Sequence, residues 1–175
     1  MGKYVACICE GGAESAILDL LLDSHKLIFE REDLLEERVL SCRSGKEFQE
    51  RYLRKGFTEK ITVYRILDSR RENFNIGKAY KPKVEIKNII TAPEIEMLII
   101  CKEDKYEEYQ NEKRKNSDLK PSTYCKSILK YKNVKCYDFV LRYFSDIDVL
   151  IKALHEYRRI AKLPKKEMCI LDLLK

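Results

Sequence analysis

The stretch YVACICEGGAESAILDLLL, residues 4–22, decides how this chain folds. Tyr4–Cys9 is apolar at every position, which is typical of a β-strand that is covered on both faces. Two glycines follow Glu10, and apolar residues then recur at helical spacing over Ser15–Leu22. This pattern predicts a strand, a turn and a helix, with Glu10 at the carboxyl end of the strand. Open α/β sheets place their active sites at that edge, so Glu10 is the first candidate site residue.

A second acid ends a second apolar run. Ile61–Leu67 (ITVYRIL) predicts another central strand, and Asp68 follows it directly. Two carboxylates at neighbouring strand ends can hold Mg²⁺, or Mn²⁺ in its place. Glu14 and Glu72 are further candidate metal ligands. The structural alternatives are that Asp68 caps the turn after the strand and that Glu14 is a favourable charge in the first turn of a helix.

The third candidate catalytic residue is Glu96. Pro93 fits the first position of a helix, and the helix expected over Glu94–Cys101 is apolar apart from its two glutamates. Glu94 and Glu96 are two residues apart, so on a helix they point to nearly opposite sides and only one readily faces a site.

Four residues are candidates for binding a substrate phosphate. The backbone N–H groups of Gly11 and Gly12 can approach a phosphate closely, and the helix that follows favours anions. Arg70 and Arg71 come directly after the second strand end. They either contact a phosphate or neutralise the neighbouring acids.

The remaining pattern predicts a small, mostly parallel sheet flanked by helices, with a helical C-terminal extension. We expect residues 1–101 to form the α/β core and residues 102–175 to form the extension, packed on the core as a single domain. Lys102–Lys120 is a charge-dense run, and its middle is expected to be a mobile insert. Two further strands are expected, over Arg38–Cys42 and Val84–Ile90. A helix is expected to begin after Ser44, its N-cap, and to continue to Arg54, with Gly56 ending it. The other expected helices are a short one over Glu30–Arg38 and three over Ser122–Lys130, Cys136–Phe144 and Asp146–Leu163.

Composition narrows the class of protein. The chain has 175 residues, a net charge of +6 and 37% charged residues, a balance that permits nucleic-acid binding without requiring it. Seven cysteines without a CxxC pair, together with only two histidines, argue against a disulfide framework or a zinc site. Buried free thiols in a reducing cytoplasm are the expectation. No apolar run reaches the roughly 18 residues of a membrane span, so no membrane partner is expected.

Tyrosines and lysines alternate through the second half of the chain, for example at Tyr124, Lys126, Lys130, Tyr131 and Lys132. Aromatic and basic residues mixed in this way can stack on bases and hold phosphates. The alternative is the polar surface of amphipathic helices.

Three segments together carry a resemblance to a known family. Glu10-Gly11-Gly12-Ala13-Glu14 and the later Asp68 resemble the acidic motifs of the TOPRIM domain of topoisomerases, primases and OLD-type nucleases. The segment ITAPEIEMLII, residues 90–100, looks like the Ser-Asn-Pro-x-Phe-Glu-x-Trp-Leu-Leu segment of RloB-like TOPRIM proteins of bacterial phage defence. The resemblance covers about the first 100 residues.

This resemblance implies a Rossmann-like TOPRIM fold and Mg²⁺-dependent cleavage of phosphodiesters in nucleic acid, DNA or RNA. It implies that Glu10 binds metal or handles a proton, that Asp68 is the main metal ligand, and that Glu96 matches the glutamate of the third segment. A partner defence protein or a homodimer is also consistent with it.

Two departures from the family pattern bear on activity. Arg70 stands where the family has a second aspartate, and Ala92 stands where it has the asparagine before proline. Three hypotheses follow. The chain is a TOPRIM-like nuclease, or a catalytically degenerate TOPRIM module that binds nucleic acid, nucleotide or a partner protein, with Arg70 in the metal position. The third is an unrelated α/β interaction protein with scattered acids.

Overall fold

The computed structural model describes residues 4–54, 57, 59–70 and 72–175. Gly56 and Arg71 therefore lie outside the described residues. The strands are β1 (Tyr4–Ile8), β2 (Ile61–Leu67) and β3 (Val84–Ile90), and the helices are α1 (Gly12–Asp23), α2 (Gly45–Phe48), α3 (Met97–Lys102), α4 (Tyr106–Lys115), α5 (Pro121–Ser127), α6 (Tyr137–Tyr143) and α7 (Ile147–Ala161). Among these residues, no helix is both long enough and apolar enough to cross a lipid bilayer.

The three strands form one parallel sheet in the order β1-β2-β3, with Tyr4 opposite Ile61 and Ile61 opposite Val84. Isolated parallel bridges extend the sheet on both sides. Leu34 and Leu40 pair with β1, and Met168 pairs with β3. When these single bridges are counted as edge positions beside the three strands, the order across the sheet is 2-1-3-4-5, and it reverses between β1 and β2. The same order occurs in one common type of doubly wound α/β sheet.

The sheet separates two hydrophobic clusters. Val5 and Cys7 of β1 face the larger cluster, which contains α1 and the helices α3–α7. Ala6 and Ile8 face the smaller one, which contains Phe48 and neighbouring side chains of residues 35–53 and 76. Alternate residues of β1 are thus buried on opposite faces, as the continuous apolar run of this strand predicts. The expectation of a small parallel sheet flanked by helices is confirmed at this level.

The predicted strand over Arg38–Cys42 is wrong. Leu40 makes a single bridge, with Leu40 N–H donating to the Cys7 carbonyl at 2.8 Å. Before it, Glu36 and Glu37 have left-handed backbone φ angles of 57° and 52°, which break any extended approach. After it, Ser44 already caps α2 by accepting the N–H of Glu47 at 3.2 Å. Between these two interruptions the chain has room for one bridge only.

The helix that was expected to start at Pro93 starts instead at Met97. In a helix from Pro93, the Pro93 carbonyl would accept the Met97 N–H. Here that carbonyl accepts the hydroxyl of Tyr157 at 2.6 Å, and Met97 N–H turns to the Glu94 carbonyl at 2.9 Å. Residues 94–96 therefore form a turn before the helix.

The charge-dense run Lys102–Lys120 contains the ordered helix α4 and is not an irregular insert. Its anchor is Tyr109, whose ring is fully buried and meets Tyr124 edge-on, with ring centroids 5.3 Å apart. The Tyr109 hydroxyl donates to the Leu119 carbonyl at 3.1 Å. One aromatic side chain thus fixes a segment whose composition indicated disorder.

Candidate active site

A cavity of about 240 Å³ opens at the carboxyl ends of β1 and β2, where the strand order reverses. In doubly wound sheets this is the place where ligands bind, because the connections from the two strands leave in opposite directions and open a crevice. The strand ends and the loops beside them line the cavity: Glu10, Gly11, Gly12, Ala13, Glu14, Ile66, Leu67, Asp68, Glu72, Glu94, Ile95, Glu96 and Lys135.

Among the described residues, six carboxylates and one lysine line this cavity. The structure brings together all five acids that the sequence singles out, Glu10, Glu14, Asp68, Glu72 and Glu96. Glu10 and Asp68 are exposed, Glu14 and Glu72 are half-buried, and Glu96 is only 4% exposed. Solvent exposure of the acids therefore decreases from the strand ends, at Glu10 and Asp68, to the buried side of the cavity at Glu96.

Glu94 is the acid that sequence reasoning set aside. Both Glu94 and Glu96 line the cavity, because they belong to the turn before α3 and the opposite-sides rule applies only within a helix. A Glu94 side-chain oxygen accepts the Ser122 N–H at 3.3 Å, and Lys120 Nζ lies 3.8 Å from the other. Glu94 therefore ties the start of α5 to the site.

Lys135 lines the cavity, although the sequence placed it only among the interleaved lysines and tyrosines that could hold phosphates, and not beside the acids. It lies between α5 and α6, about 125 positions from Glu10 in the sequence, and its Nζ is 3.8 Å from Oε1 of both Glu94 and Glu96. Its neighbours in the lysine-rich run offered no signal that would single it out. Its place depends on how the loop before α6 packs.

Burial shifts the pKa of three of these acids upward. Desolvation raises the pKa of Glu96, with Lys135 opposing the shift and Glu94 and Glu14 adding to it. The pKa of Glu14 is raised mainly by burial and then by the nearby Asp68. At Glu72, burial and the charge of Glu10 raise the pKa, and Arg65 lowers it. Shifts of this kind make a carboxyl group able to hold a proton nearer to neutral pH.

Arg65 holds Glu72, one of the cavity acids, through an ion pair. It lies within β2, is only 4% exposed, and places its guanidinium 3.3 Å from the Glu72 carboxylate and 4.5 Å from the Phe74 ring centroid. Desolvation lowers the pKa of Arg65, while Glu72 and Glu10 oppose that shift. A buried guanidinium needs a partner, and this one orients Glu72 at the cavity.

Arg70 does not line the cavity. Its guanidinium makes a two-pronged ion pair with Glu167, with Nε 2.8 Å from Oε1 and Nη2 2.9 Å from Oε2. Of the described residues that line the cavity, Lys135 is the cation, and Arg70 does not occupy a metal position between the acids. Arg71, the other candidate phosphate ligand, lies outside the described residues.

Gly12 owes its identity to packing. A Cβ on Gly12 would lie 3.1 Å from both the Lys135 carbonyl oxygen and the Tyr137 nitrogen, so the loop that carries Lys135 rests directly on the Gly12 backbone. A Cβ on Gly11 would meet only the carboxylate of Glu14, the end of a flexible side chain. The two glycines that sequence reasoning paired for phosphate binding thus meet different neighbours.

We therefore expect Gly12→Ala to destabilise the protein by about 1–2 kcal/mol, because the backbone of the Lys135 loop must move to admit a methyl group. In a chain of this size that is a fall in Tm of roughly 2–8 °C, measurable by circular dichroism. Gly11→Ala is the matched control and should leave Tm nearly unchanged. Equal effects of the two substitutions would contradict the packing role of Gly12.

The carboxylates that line the cavity are the residues that could bind a divalent metal. Among the described residues, no three His, Cys, Asp or Glu side chains converge closely enough to hold one ion between them. Carboxylate oxygens are nevertheless the donors that Mg²⁺ prefers, and this ion commonly binds through one or two carboxylates while it keeps several waters. A Mg²⁺ ion at this cavity would have to be held in that manner.

Comparison of the chain with known protein families, with characterised proteins and with solved structures finds no match. The TOPRIM resemblance consequently stays a prediction, carried by the residues themselves.

Proposed function

We propose that this chain is a TOPRIM-like, Mg²⁺-dependent phosphodiesterase that acts on nucleic acid, in a bacterial defence or phage-related setting. The observation that carries the proposal is the convergence of Glu10, Asp68 and Glu96 on one cavity at the carboxyl ends of β1 and β2. The first two come from the ends of neighbouring strands, and the third comes from the turn after β3. Scattered acids, as expected of an unrelated interaction protein, would not share a cavity.

Asp68 and Glu10 are the residues proposed to hold the metal, with Glu14 and Glu72 within the same cavity. Their exposure at the rim leaves room for the metal's waters and for a substrate phosphate. Bound Mg²⁺ would offset the negative charge of the phosphate and lower the pKa of a water ligand.

Glu96 and Lys135 are proposed to act on protons and charge. Hydrolysis of a phosphodiester adds water across one P–O bond, so one proton leaves the attacking water and one reaches the leaving oxygen. Glu96, whose burial raises its pKa, suits such a proton transfer. Lys135 is more than half exposed, and its ammonium can contact the phosphate oxygens as negative charge develops on them.

A second, wider cavity continues from the site and suits a polymeric substrate. It has a volume of about 700 Å³ and shares Asp68 and Glu94 with the first cavity. Lys113 and Lys120 line it on the side of α4 and α5. Positive side chains beside a cleavage site can hold the backbone phosphates of a nucleic-acid strand.

Calorimetric titration with Mg²⁺ and Mn²⁺ tests the proposal, followed by cleavage assays on DNA and tRNA with and without EDTA. We expect micromolar-to-millimolar metal binding and cleavage that EDTA abolishes. A folded protein that binds neither metal would overturn the proposal of an autonomous nuclease.

The ion pairs of Lys135 favour a second candidate, a degenerate module that binds nucleic acid without cutting it. An ammonium 3.8 Å from two of the acids already compensates part of their charge. Such a module would bind a labelled oligonucleotide equally well in EDTA and in Mg²⁺, and it would release no product. Binding that requires Mg²⁺ would exclude this candidate.

A further inference from the structure

In the described part of the chain, the outer edge of β3 is unpaired over most of its length. On its inner side β3 pairs with β2 along its whole length, from Val84 to Ile90. On its outer side the described residues supply one bridge, between Ile89 and Met168 at the carboxyl end. Ile86 is 40% exposed, although it lies in the middle of a strand. Exposed strand edges are templates for pairing with another chain.

The hydrogen-bonding groups of this edge can be assigned. Ile90 N–H donates outward to the Met168 carbonyl at 2.7 Å, and Thr91 N–H donates inward to the Leu67 carbonyl at 2.7 Å. Backbone groups alternate along a strand, so those of Asn88, Ile86 and Val84 also point outward. The Val84 N–H is used by the Lys81 carbonyl of the preceding turn, which leaves its own carbonyl free to accept.

The side chains on this edge are complementary to a second copy of themselves. The sequence Glu85-Ile86-Lys87 places a hydrophobic residue between opposite charges. If two β3 strands pair antiparallel about a twofold axis at Ile86, each Ile86 faces the other and each Glu85 faces Lys87 of the second copy. Within one copy Lys87 Nζ lies 3.7 Å from Glu85 Oε1, and the two side chains are 36% and 48% exposed, so each is also accessible to a second copy.

We propose that this protein forms a twofold-symmetric dimer through antiparallel pairing of β3 from two copies, centred on Ile86. Four backbone hydrogen bonds join the copies: Ile86 N–H donates to the other Ile86 carbonyl, Asn88 N–H donates to the other Val84 carbonyl, and the symmetry repeats both. Glu85 and Lys87 fall at the non-hydrogen-bonded pairs, where facing side chains are closest. The sheet thereby continues across the axis.

Two further features limit and support this pairing. At its carboxyl end, the edge is limited by the bridge between Ile89 and Met168. At its amino end, it is limited by the turn at Lys81–Lys83. The edge available for pairing in each copy is therefore the five residues Val84–Asn88. A cavity of about 380 Å³ adjoins Ile86 on the face that it shares with Val84, and Phe74 and Ile76 line it. Asn75 and Lys81 also line this cavity, and the facing isoleucines of the dimer cover its opening.

Charged residues on an edge strand also discourage random pairing. In this register the same charges become attractive, whereas a shift of the twofold axis by one residue places Lys87 opposite Lys87 or Glu85 opposite Glu85. The sequence therefore selects one register and rejects its neighbours.

Sedimentation equilibrium tests the proposal. The wild type is expected at twice the 20.8 kDa of the chain at micromolar concentration. Lys87→Glu, which sets carboxylates opposite each other on both sides of the axis, should weaken the dimer at least about tenfold. The double swap Glu85→Lys with Lys87→Glu should restore it. Lys152→Glu on α7, an exposed lysine on another element, is the matched control and should leave the dimer unchanged.

Three results would overturn the dimer: a monomeric wild type, a dimer that Lys87→Glu leaves intact, or a double swap that stays monomeric while folded. Circular dichroism of each variant reports the fold. Glu85→Lys alone makes the same prediction as Lys87→Glu, so it replaces that variant if Lys87→Glu does not fold.

Discussion

Asp68→Asn is expected to abolish both metal binding and metal-dependent cleavage. The side chain keeps its size and loses its charge, and Asp68 is the proposed main ligand at the end of β2. Loss of residues that merely support a metal ligand commonly costs 10- to 100-fold in affinity or activity, so removing a ligand should lower cleavage by at least about 100-fold. Calorimetry with Mg²⁺ and a gel-based cleavage assay measure the two effects.

Stability separates this result from simple unfolding. Asp68 is exposed, so its replacement by asparagine should change Tm by no more than about 2 °C. Glu32→Gln, an exposed acid outside the cavity, is the matched control and should leave binding and cleavage at wild-type levels. An Asp68→Asn variant that still cleaves in the presence of Mg²⁺ would remove Asp68 from the site.

Glu10 and Asp68 show what the sequence could predict. Each follows an uninterrupted apolar run, and the carboxyl ends of parallel strands meet at one edge of a sheet, so their proximity followed from two local patterns. The strands themselves were confirmed: Ile61–Leu67 and Val84–Ile90 have the predicted bounds, and β1 ends one residue early.

Lys135 and Glu94 show what the sequence could not predict. Lys135 reaches the acids because its loop packs on the Gly12 backbone, a contact between segments more than 120 residues apart. Glu94 faces the cavity because Tyr157 takes the Pro93 carbonyl and delays the start of α3. Both outcomes depend on tertiary contacts that leave no trace in local periodicity.

The same limit applies to Arg70. Its position after Asp68 made it a natural candidate for a phosphate or for a place among the acids. Its guanidinium is held by Glu167, which lies 97 residues further along the chain. Long-range ion pairs between exposed side chains carry no sequence signature, because any surface acid can serve as the partner.

Glu96→Gln is expected to stabilise the fold at neutral pH while it removes activity. A carboxyl group that is 4% exposed has a raised pKa because burial disfavours its charged form, and Lys135 offsets this only in part. The folded state therefore binds a proton more readily than the unfolded state. The contribution of Glu96 to the free energy of unfolding is therefore fully present below the ordinary pKa of 4.5. It is lost as the pH rises through the pKa of Glu96 in the folded state.

Glutamine carries no charge, so the Glu96→Gln variant does not lose stability when the pH rises. Its Tm should exceed the wild-type Tm at pH 8, and the difference should vanish below pH 4.5, where both side chains are neutral. Cleavage should fall about 100-fold or more, because glutamine cannot transfer the proton. A gain in stability coupled to a loss of activity is the mark of a residue kept for chemistry.

Glu94→Gln is the matched control in the same turn. The Glu94 carboxylate accepts the Ser122 N–H and lies 3.8 Å from Nζ of both Lys120 and Lys135, so its charge is compensated and its loss should lower Tm. At pH 8 the Tm should therefore rise for Glu96→Gln and fall for Glu94→Gln. Such opposite shifts would show that burial of the Glu96 charge destabilises the fold, whereas the Glu94 charge stabilises it by holding α5 to the site. If Glu96→Gln instead lowered Tm at pH 8, the Glu96–Lys135 pair would be a structural ion pair, and the assignment of proton transfer to Glu96 would fall.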